Sequence, residues 1–208
     1  CTESAALIAK ILLGKNPLEI ETRLSEINAI LKHNSTIKSA FDMALYDIAA
    51  KYANLPLYAF LGGKKGEIFT DFTIGIDTPV VMAEKAINYC AEGASSLKVK
   101  VGTSLTEDVA RIRTIREAVG ADIPIRIDAN QGWSPTVALA TLQALSQFNI
   151  EFCEEPVSHW NTTALKRIHD HSPIPIMADE SVFDHHDAFR LASLDACDYF
   201  NIKLAKSG

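Results

Sequence analysis

The first 60 residues carry apolar positions at helical spacing. The clearest helix is predicted from Ser35 to about Ala53, with Ser35 as its N-cap. Apolar side chains recur along it every three or four residues, as an amphipathic helix requires. They are Ile37, Phe41, Leu45 and Ile48. Leu61-Gly62-Gly63 follows as a stop signal, so residues 1–66 are predicted to form a helical unit.

From about residue 70 the pattern changes to short apolar runs rich in β-forming residues. Their starts are separated by 25, 28, 25, 25 and 24 residues. The runs are Phe72–Ile76, Leu97–Val101, Ile125–Ala129, Ile150–Glu154, Pro175–Asp179 and Tyr199–Lys203. Amphipathic helical stretches lie between them, such as Leu105–Val119 and Ser134–Phe148. A strand and a helix at this repeat form a βα unit, which requires parallel strands.

Six such units predict an α/β fold with a TIM-type (β/α) barrel over residues 67–208. A doubly wound sheet is the alternative, but its polar strand ends should cluster near one switch point. Here most of the strands end in polar residues, which favours the barrel. Because a complete barrel has eight units, we expect this one to be cut off after its sixth strand. Residues 1–66 are then the remainder of a second domain.

Composition and charge narrow the function classes. The chain has 208 residues, 48% of them hydrophobic and 22% charged, and a net charge of -6. Without a run of Lys or Arg, neither nucleic acid nor an anionic membrane is an expected partner. No apolar run is long enough to span a bilayer, and we expect no signal peptide. The four cysteines, Cys1, Cys90, Cys153 and Cys197, are scattered, which predicts reduced, mostly buried thiols in a cytoplasmic protein.

The second predicted strand carries two lysines on one face. In Leu97-Lys98-Val99-Lys100-Val101 the apolar residues should pack outwards on helices, which sends Lys98 and Lys100 into the barrel. Two ammonium groups this close repel each other, so one should lose its proton more easily and become a usable base. An edge strand with solvated lysines is the alternative interpretation.

The next three strands each end in a carboxylate, namely Asp128, Glu154 and Asp179. Any one of them alone could be a helix N-cap or a loop charge. Together, at the ends of neighbouring strands, they would repel one another unless a cation neutralised them. Hard oxygen ligands without a Cys or His cluster favour Mg²⁺, with Mn²⁺ possible.

The sixth strand is predicted to end in Lys203. Lys100 lies two strands before the Glu154 strand and Lys203 two strands after it, so in a barrel they should face each other across the metal. That layout suits removal of a proton from one face of a carbon and its return on the other. A salt bridge from Lys203 to one of the acids is the alternative.

Other charged residues receive lesser roles. Glu155 and Glu180 adjoin the proposed ligands with opposite strand parity, and we assign them to supporting or packing roles. The six histidines fall in predicted loops or helices and are interpreted as surface residues. They are His33, His159, His169, His171, His185 and His186, of which only His159 follows a strand end and could approach the site.

These residues resemble the enolase superfamily, specifically its muconate-lactonizing subgroup, over essentially the whole chain. The matching pieces include Lys98-Val99-Lys100, the three acids and Lys203 within Asn201-Ile202-Lys203. Residues 40–49 and 61–63 look like the end of that family's α+β capping domain. Residues 128–133 and 177–182 look most like dipeptide epimerases. Glu154-Glu155-Pro156 departs from the Glu-Gln-Pro common there, a change that leaves the ligand intact.

The resemblance implies an isomerase that epimerises a dipeptide at the α-carbon of its C-terminal residue. Lys100 and Lys203 match the two acid/base lysines, Lys98 the lysine that assists its neighbour, and the three acids the Mg²⁺ ligands. The proton would move by two-base 1,1-transfer through an enediolate, and we expect a homo-oligomer. Alternatives on the same platform are a muconate cycloisomerase, an o-succinylbenzoate synthase or an N-acylamino acid racemase. An inactive fragment is the non-enzymatic alternative.

Overall fold

The computed structural model describes residues 2–207, which divide into two compact units. One unit is helical and joins the residues up to Ile68 with those from Ile202 onwards. The other runs from Phe69 to Asn201 and contains the sheet. The compact units thus place the last residues with the helices, whereas the sequence assigned residues 67–208 to one domain. The domain bounds 1–66 and 67–208 stay a prediction.

The helical unit is built on short amphipathic helices. They are α1 (Thr2–Leu12), α2 (Ile20–Ile30), α3 (Ser35–Tyr52), α4 (Leu57–Phe60) and α10 (Leu204–Ser207). The core comes from one face of the first three helices. It consists of Ile8, Ile27, Leu45, Ala49 and Ala50. Arg23 is also buried, and Glu19 and Glu26 contact its guanidinium at 3.3 and 3.2 Å, so that its charge is paired.

The second unit alternates strands and helices. The strands are β1 (Phe72–Ile74), β2 (Leu97–Lys100), β3 (Ile125–Asp128), β4 (Ile150–Glu154), β5 (Ile176–Ala178) and β6 (Tyr199–Phe200). The helices between them are α5 (Pro79–Ala91), α6 (Leu105–Val119), α7 (Pro135–Leu145, extended by a 3-10 turn at Ser146–Phe148), α8 (Thr162–His171) and α9 (His185–Ser193).

The strands form one parallel sheet in the order β1-β2-β3-β4-β5-β6. This sequential order is that of a (β/α) barrel, because a doubly wound sheet reverses direction at its switch point. The predicted α/β barrel class is therefore confirmed over the doubly wound alternative. All described strands point the same way, so their C-terminal ends lie along one edge of the sheet.

The two faces of the sheet differ as the alternation predicted. The face that packs on the helices is fully buried and apolar, with Leu97, Val99, Ile127 and Ile176 at 0% exposure. The opposite face carries Lys98, Arg126, Phe152, Met177 and Tyr199. The assignment of the lysines to the inner face of the sheet is thus confirmed, and the edge-strand alternative is wrong because β2 pairs with both β1 and β3.

One predicted helix cap and several predicted strand ends need correction. The N-cap of α3 is Asn34, in the left-handed region at φ 57°, and not Ser35. β5 ends at Ala178, since the next backbone N–H, that of Asp179, bonds to the Glu155 side chain. β6 ends at Phe200 and not at Lys203, because the Lys203 carbonyl already accepts the first hydrogen bonds of the helical turn at α10.

The described thiols are free, but burial is less general than predicted. Cys153 is buried, whereas Cys90 and Cys197 are half-buried. Desolvation raises the pKa of Cys197 to about 11. Cys1 lies outside the described residues. Among residues 2–207, the helices include none with the length and apolar character needed to cross a membrane.

Candidate metal and acid–base site

Charged side chains from three adjacent strands meet at the C-terminal edge of the sheet. The Lys98 ammonium on β2 lies 2.9 Å from Asp128 Oδ2 on β3 and 2.6 Å from Glu154 Oε2 on β4. Lys100 Nζ lies 2.7 Å from the same Asp128 oxygen. The parallel register explains the meeting, since Lys100, Asp128 and Glu154 are direct neighbours across the sheet. The structure therefore brings together four of the predicted site residues.

These carboxylates are removed from solvent. Asp128 is 1% exposed, Glu154 2% and Asp179, which directly follows β5, 1%. The lysine side chains are more open, at 16% for Lys98 and 29% for Lys100. Buried carboxylates are tolerated only when cations or hydrogen-bond donors surround them, so their burial itself marks a place built for positive charge.

Burial and the neighbouring charges shift the proton affinities. Desolvation, reinforced by the negative charge of Asp128, raises the pKa of Glu154 against the hydrogen bonds from Lys98 and Asn201, which lower it. For Lys98, desolvation acts to lower the pKa, but the hydrogen bonds to Glu154 and Asp128 outweigh it and raise the pKa. Lys98 is therefore not the lysine with the lowered pKa that like-charge repulsion predicted, because the acids of the neighbouring strands stabilise its charge.

Two asparagines complete the site, and the sequence had assigned them no role. Asn130 accepts a hydrogen bond from Lys100 Nζ at 2.5 Å and donates one to Glu180 Oε1 at 3.0 Å. The Asn201 amide donates to Glu154 Oε1 at 2.8 Å. The sequence could have identified Asn201, because it lies two residues after Tyr199 and so on the same inner face of the sheet, at the edge where the acids lie.

Glu155 supports the turn that carries Asp179. The Glu155 carboxylate is 0% exposed and accepts hydrogen bonds from the backbone N–H of Asp179 at 2.7 Å and of Ser181 at 3.0 Å. The Ser181 hydroxyl donates to it as well. Glu155 itself sits at φ 37°, which turns its side chain away from the sheet face of Glu154. The predicted supporting role of Glu155 is confirmed.

The donor set of the three acids fits a hard divalent cation. It offers buried carboxylate oxygens only, and the two lysines contact Asp128 and Glu154 among them. Across residues 2–207, however, the one group with all ligand atoms within 4.8 Å of one another is His169, Asp170 and Asp195. Lys166 already lies 2.5 Å from Asp170 and 3.5 Å from Asp195, so that group is a surface ion-pair network.

The remaining predicted residues lie as follows. Lys203 belongs to the helical unit, where its carbonyl accepts from the backbone N–H of Lys206 at 2.9 Å, and its pairing with Lys100 stays a prediction. His159 is exposed and bonds through Nδ1 to Gln131 Oε1 at 2.8 Å. Four of the other histidines are exposed, whereas His169 is partly buried beside Asp198, with 3.3 Å from its Nε2 to Asp198 Oδ1.

Comparison with known proteins gives two family matches. Residues 81–208 match the model described as enolase C-terminal domain-like, and residues 2–62 match the N-terminal domain of mandelate racemase and muconate lactonizing enzyme. Together these matches cover most of the chain.

Individual relatives are dipeptide epimerases. A D-Ala-D/L-Ala epimerase of Cytophaga hutchinsonii is 53% identical over 96% of this chain and 55% of its own length. The crystal structure of the Cytophaga hutchinsonii dipeptide epimerase, in complex with Mg and D-Ala-L-Val, has a TM-score of 0.95 at 52% identity, covering 98% of this chain and 56% of that one.

A dipeptide epimerase of Enterococcus faecalis, complexed with Mg and L-Leu-L-Tyr, also has a TM-score of 0.95, at 42% identity. The match covers 100% of this chain and 58% of that one. The chain thus spans just over half the length of these relatives. The resemblance drawn from the motifs is confirmed, and the chain belongs to the enolase superfamily, within the mandelate racemase and muconate lactonizing enzyme family.

Proposed function

We propose that the protein containing this chain epimerises a dipeptide at the α-carbon of its C-terminal residue. The observation that carries this is the Lys100 ammonium, held 2.7 Å from a buried Asp128 whose neighbours are further acids. A potential base beside a cation-binding set of carboxylates is the arrangement needed to remove a weakly acidic proton. Epimerases and racemases among the relatives support the same reaction class.

In this proposal Asp128, Glu154 and Asp179 hold the cation, which is Mg²⁺ with Mn²⁺ as an alternative. Bound there, it would stabilise the negative charge that develops on the substrate carboxylate as the α-proton leaves. The Mg present in the complexes of two relatives supports this choice. The hydrogen bond from Asn201 to Glu154 orients one of these carboxylates.

Lys100 and Lys203 are the two proposed acid/base groups, one for each face of the α-carbon. Asn130 orients Lys100, because its side-chain oxygen accepts from the ammonium. Lys98 assists by keeping its own charge next to Asp128 and Glu154, which its raised pKa favours.

The dipeptide is the proposed partner, and the dipeptides bound in the two relatives support it. The homo-oligomeric state and the cytoplasmic location stay predictions.

The direct test is α-proton exchange in D₂O with the full-length protein. A panel of dipeptides, N-acyl amino acids and muconates is incubated with Mg²⁺, and deuterium incorporation is followed by NMR. We expect exchange on dipeptides, its loss in excess EDTA and its recovery when Mg²⁺ is restored. Exchange that EDTA leaves unchanged would contradict the cation, and turnover of N-acyl amino acids or muconates alone would contradict the dipeptide.

A further inference from the structure

Asp108 is a buried charge that the proposed chemistry does not use. It lies in the first turn of α6, at 0% exposure. Its Oδ2 accepts from the backbone N–H of Gly102 at 3.1 Å and of Thr103 at 2.9 Å, and from Trp133 Nε1 at 2.9 Å. Its Oδ1 accepts from Arg111 at 2.7 Å and from the Thr103 hydroxyl at 3.1 Å. The two oxygens of this carboxylate therefore accept five hydrogen bonds.

Apart from Arg111, these partners lie outside the helix that carries Asp108. Ser104 already caps α6, since its hydroxyl accepts from the backbone N–H of Glu107. Asp108 instead reaches the loop after β2, at Gly102 and Thr103, and the loop after β3, at Trp133. Its function is thus distinct from that of an acidic residue that stabilises a helix N-terminus.

Arg111 extends the network to a third loop. Its guanidinium contacts Asp108 through one nitrogen, and its Nε donates to the carbonyl of Asp77, in the loop after β1, at 3.1 Å. One ion pair on α6 therefore ties together the loops after three successive strands. All three loops leave the sheet at the edge where the acids and lysines meet.

Two of these loops touch backbone to backbone and need such a tie. A Cβ on Gly132 would stand 2.3 Å from the Gly102 carbonyl oxygen, and one on Gly102 would stand 2.4 Å from that of Ala129. Asn130 and Gln131, which lie between Ala129 and Gly132 in the chain, both have left-handed backbones, at φ 42° and 67°. A strained turn of this kind persists only when its surroundings fix it from several sides.

We propose that Asp108 is a positioning residue for Lys100 and Asn130. It acts through the loop that follows Lys100 at the end of β2 and through the loop after β3 that contains Asn130. By holding Gly102 and Trp133 on one carboxylate, it fixes the Lys100 strand end against the turn that carries Asn130. This inference rests on the proposed function, in which Lys100 and Lys203 each serve one face of the α-carbon. Disrupting the hydrogen bonds around Asp108 should then slow only the α-proton exchange that Lys100 catalyses.

The test compares Trp133→Phe, which removes one hydrogen bond and keeps a ring in the buried site, with Asp108→Asn. α-Proton exchange is measured separately on the two epimers of one dipeptide, per mole of folded protein. The epimer that Lys100→Ala silences identifies the Lys100 face. In both variants we expect exchange on that epimer to fall about tenfold to a hundredfold, and exchange on the other to stay within about threefold.

A core variant provides the matched control. Leu142→Ala on α7 is equally buried and lies outside the network, so it should lower the free energy of unfolding without separating the two epimers. An equal fall on both epimers in Trp133→Phe, or no fall on either, would overturn the inference. Should Asp108→Asn fail to fold, Trp133→Phe carries the test.

Amide hydrogen exchange separates this inference from the proposed function. Protection in residues 101–104 and 129–133 should drop in Trp133→Phe, while that of α7 stays unchanged. If the wild-type protein exchanged no α-proton on any substrate, the proposed function would fail by itself. Unchanged protection in both loops would overturn the positioning role even where the proposed function held.

Discussion

Single side chains at the sheet edge are stabilised by charges that come from neighbouring strands. Lys98 contacts Asp128 and Glu154, and Lys100 contacts Asp128 again, so no strand neutralises its own charges. Removing one member of such a buried set leaves its partner unpaired and costs several kcal/mol. The residues therefore have to be understood as one group, in which a change at one strand alters the proton affinity at the next.

Glu155 offers a test of the buried carboxylate that supports Asp179. Glu155→Ala leaves the backbone N–H groups of Asp179 and Ser181 without their acceptor and should lower the free energy of unfolding by about 3 kcal/mol. Glu155→Gln keeps one oxygen acceptor and should lose less than about 1 kcal/mol. Urea unfolding followed by circular dichroism measures both. Equal losses in the two variants would show that the hydrogen bonds to Asp179 and Ser181 contribute little.

At this scale the sequence predicted the charged residues better than their partners. Strand parity placed Lys98 and Lys100 on the inner face, the strand ends placed Asp128 and Glu154 beside each other, and the structure joins all four. It could not assign Asn130, whose left-handed backbone turns its side chain towards Lys100 after β3 has ended. Alternation holds only inside a strand, so residues in the loop beyond it escape such a prediction.

Four of the five described helices that lie between strands of the sheet, α6 to α9, begin at a side-chain cap, whereas α5 does not. Ser104, Ser134, Asn161 and Asp184 each accept a hydrogen bond from the first turn of α6, α7, α8 and α9. These caps fix where each helix begins, and so also the length of the loop that leaves the preceding strand. Short loops of fixed length keep the strand ends close to one another.

Cap removal provides a prediction at the level of elements. Asp184→Ala deletes two hydrogen bonds, from the backbone N–H groups of His186 and Asp187, and should lower the free energy of unfolding by about 1 kcal/mol. Ser35→Ala should change it by less than about 0.5 kcal/mol, because Ser35 lies inside α3 and alanine suits a helix. Urea titration compares them, and a loss in Ser35→Ala as large as in Asp184→Ala would contradict the cap at Asn34.

Element prediction worked where the periodic signal was long. The helix from Leu105 to Val119 was predicted with the bounds observed for α6, because its apolar positions and its cap agree. Strand ends were placed one to three residues too late at every described strand except β4. The sequence carries no mark of these ends, because they depend on hydrogen bonds outside the sheet. The Asp179 backbone N–H bonds to a side chain, and the Lys203 carbonyl accepts from the next helical turn.

For the whole molecule, the sequential order of six parallel strands explains why distant residues meet. Each βα unit brings the next strand alongside the last, so acids some 25 residues apart reach one edge. The regular repeat made this predictable from sequence. The role of Lys203 was harder to predict, since the chain has left the sheet before it and Lys203 groups with the helical unit.

The central claim is that one lysine removes the α-proton while the other donates a proton to the opposite face of the carbon, and α-proton exchange in D₂O tests it most directly. With full-length protein, Mg²⁺ and a dipeptide, Lys100→Ala and Lys203→Ala should each lower the rate of epimerisation by about a hundredfold or more. Lys51→Ala, an exposed lysine on α3, serves as the control and should leave the rate unchanged. Undiminished exchange and epimerisation in both Lys100→Ala and Lys203→Ala would contradict the account.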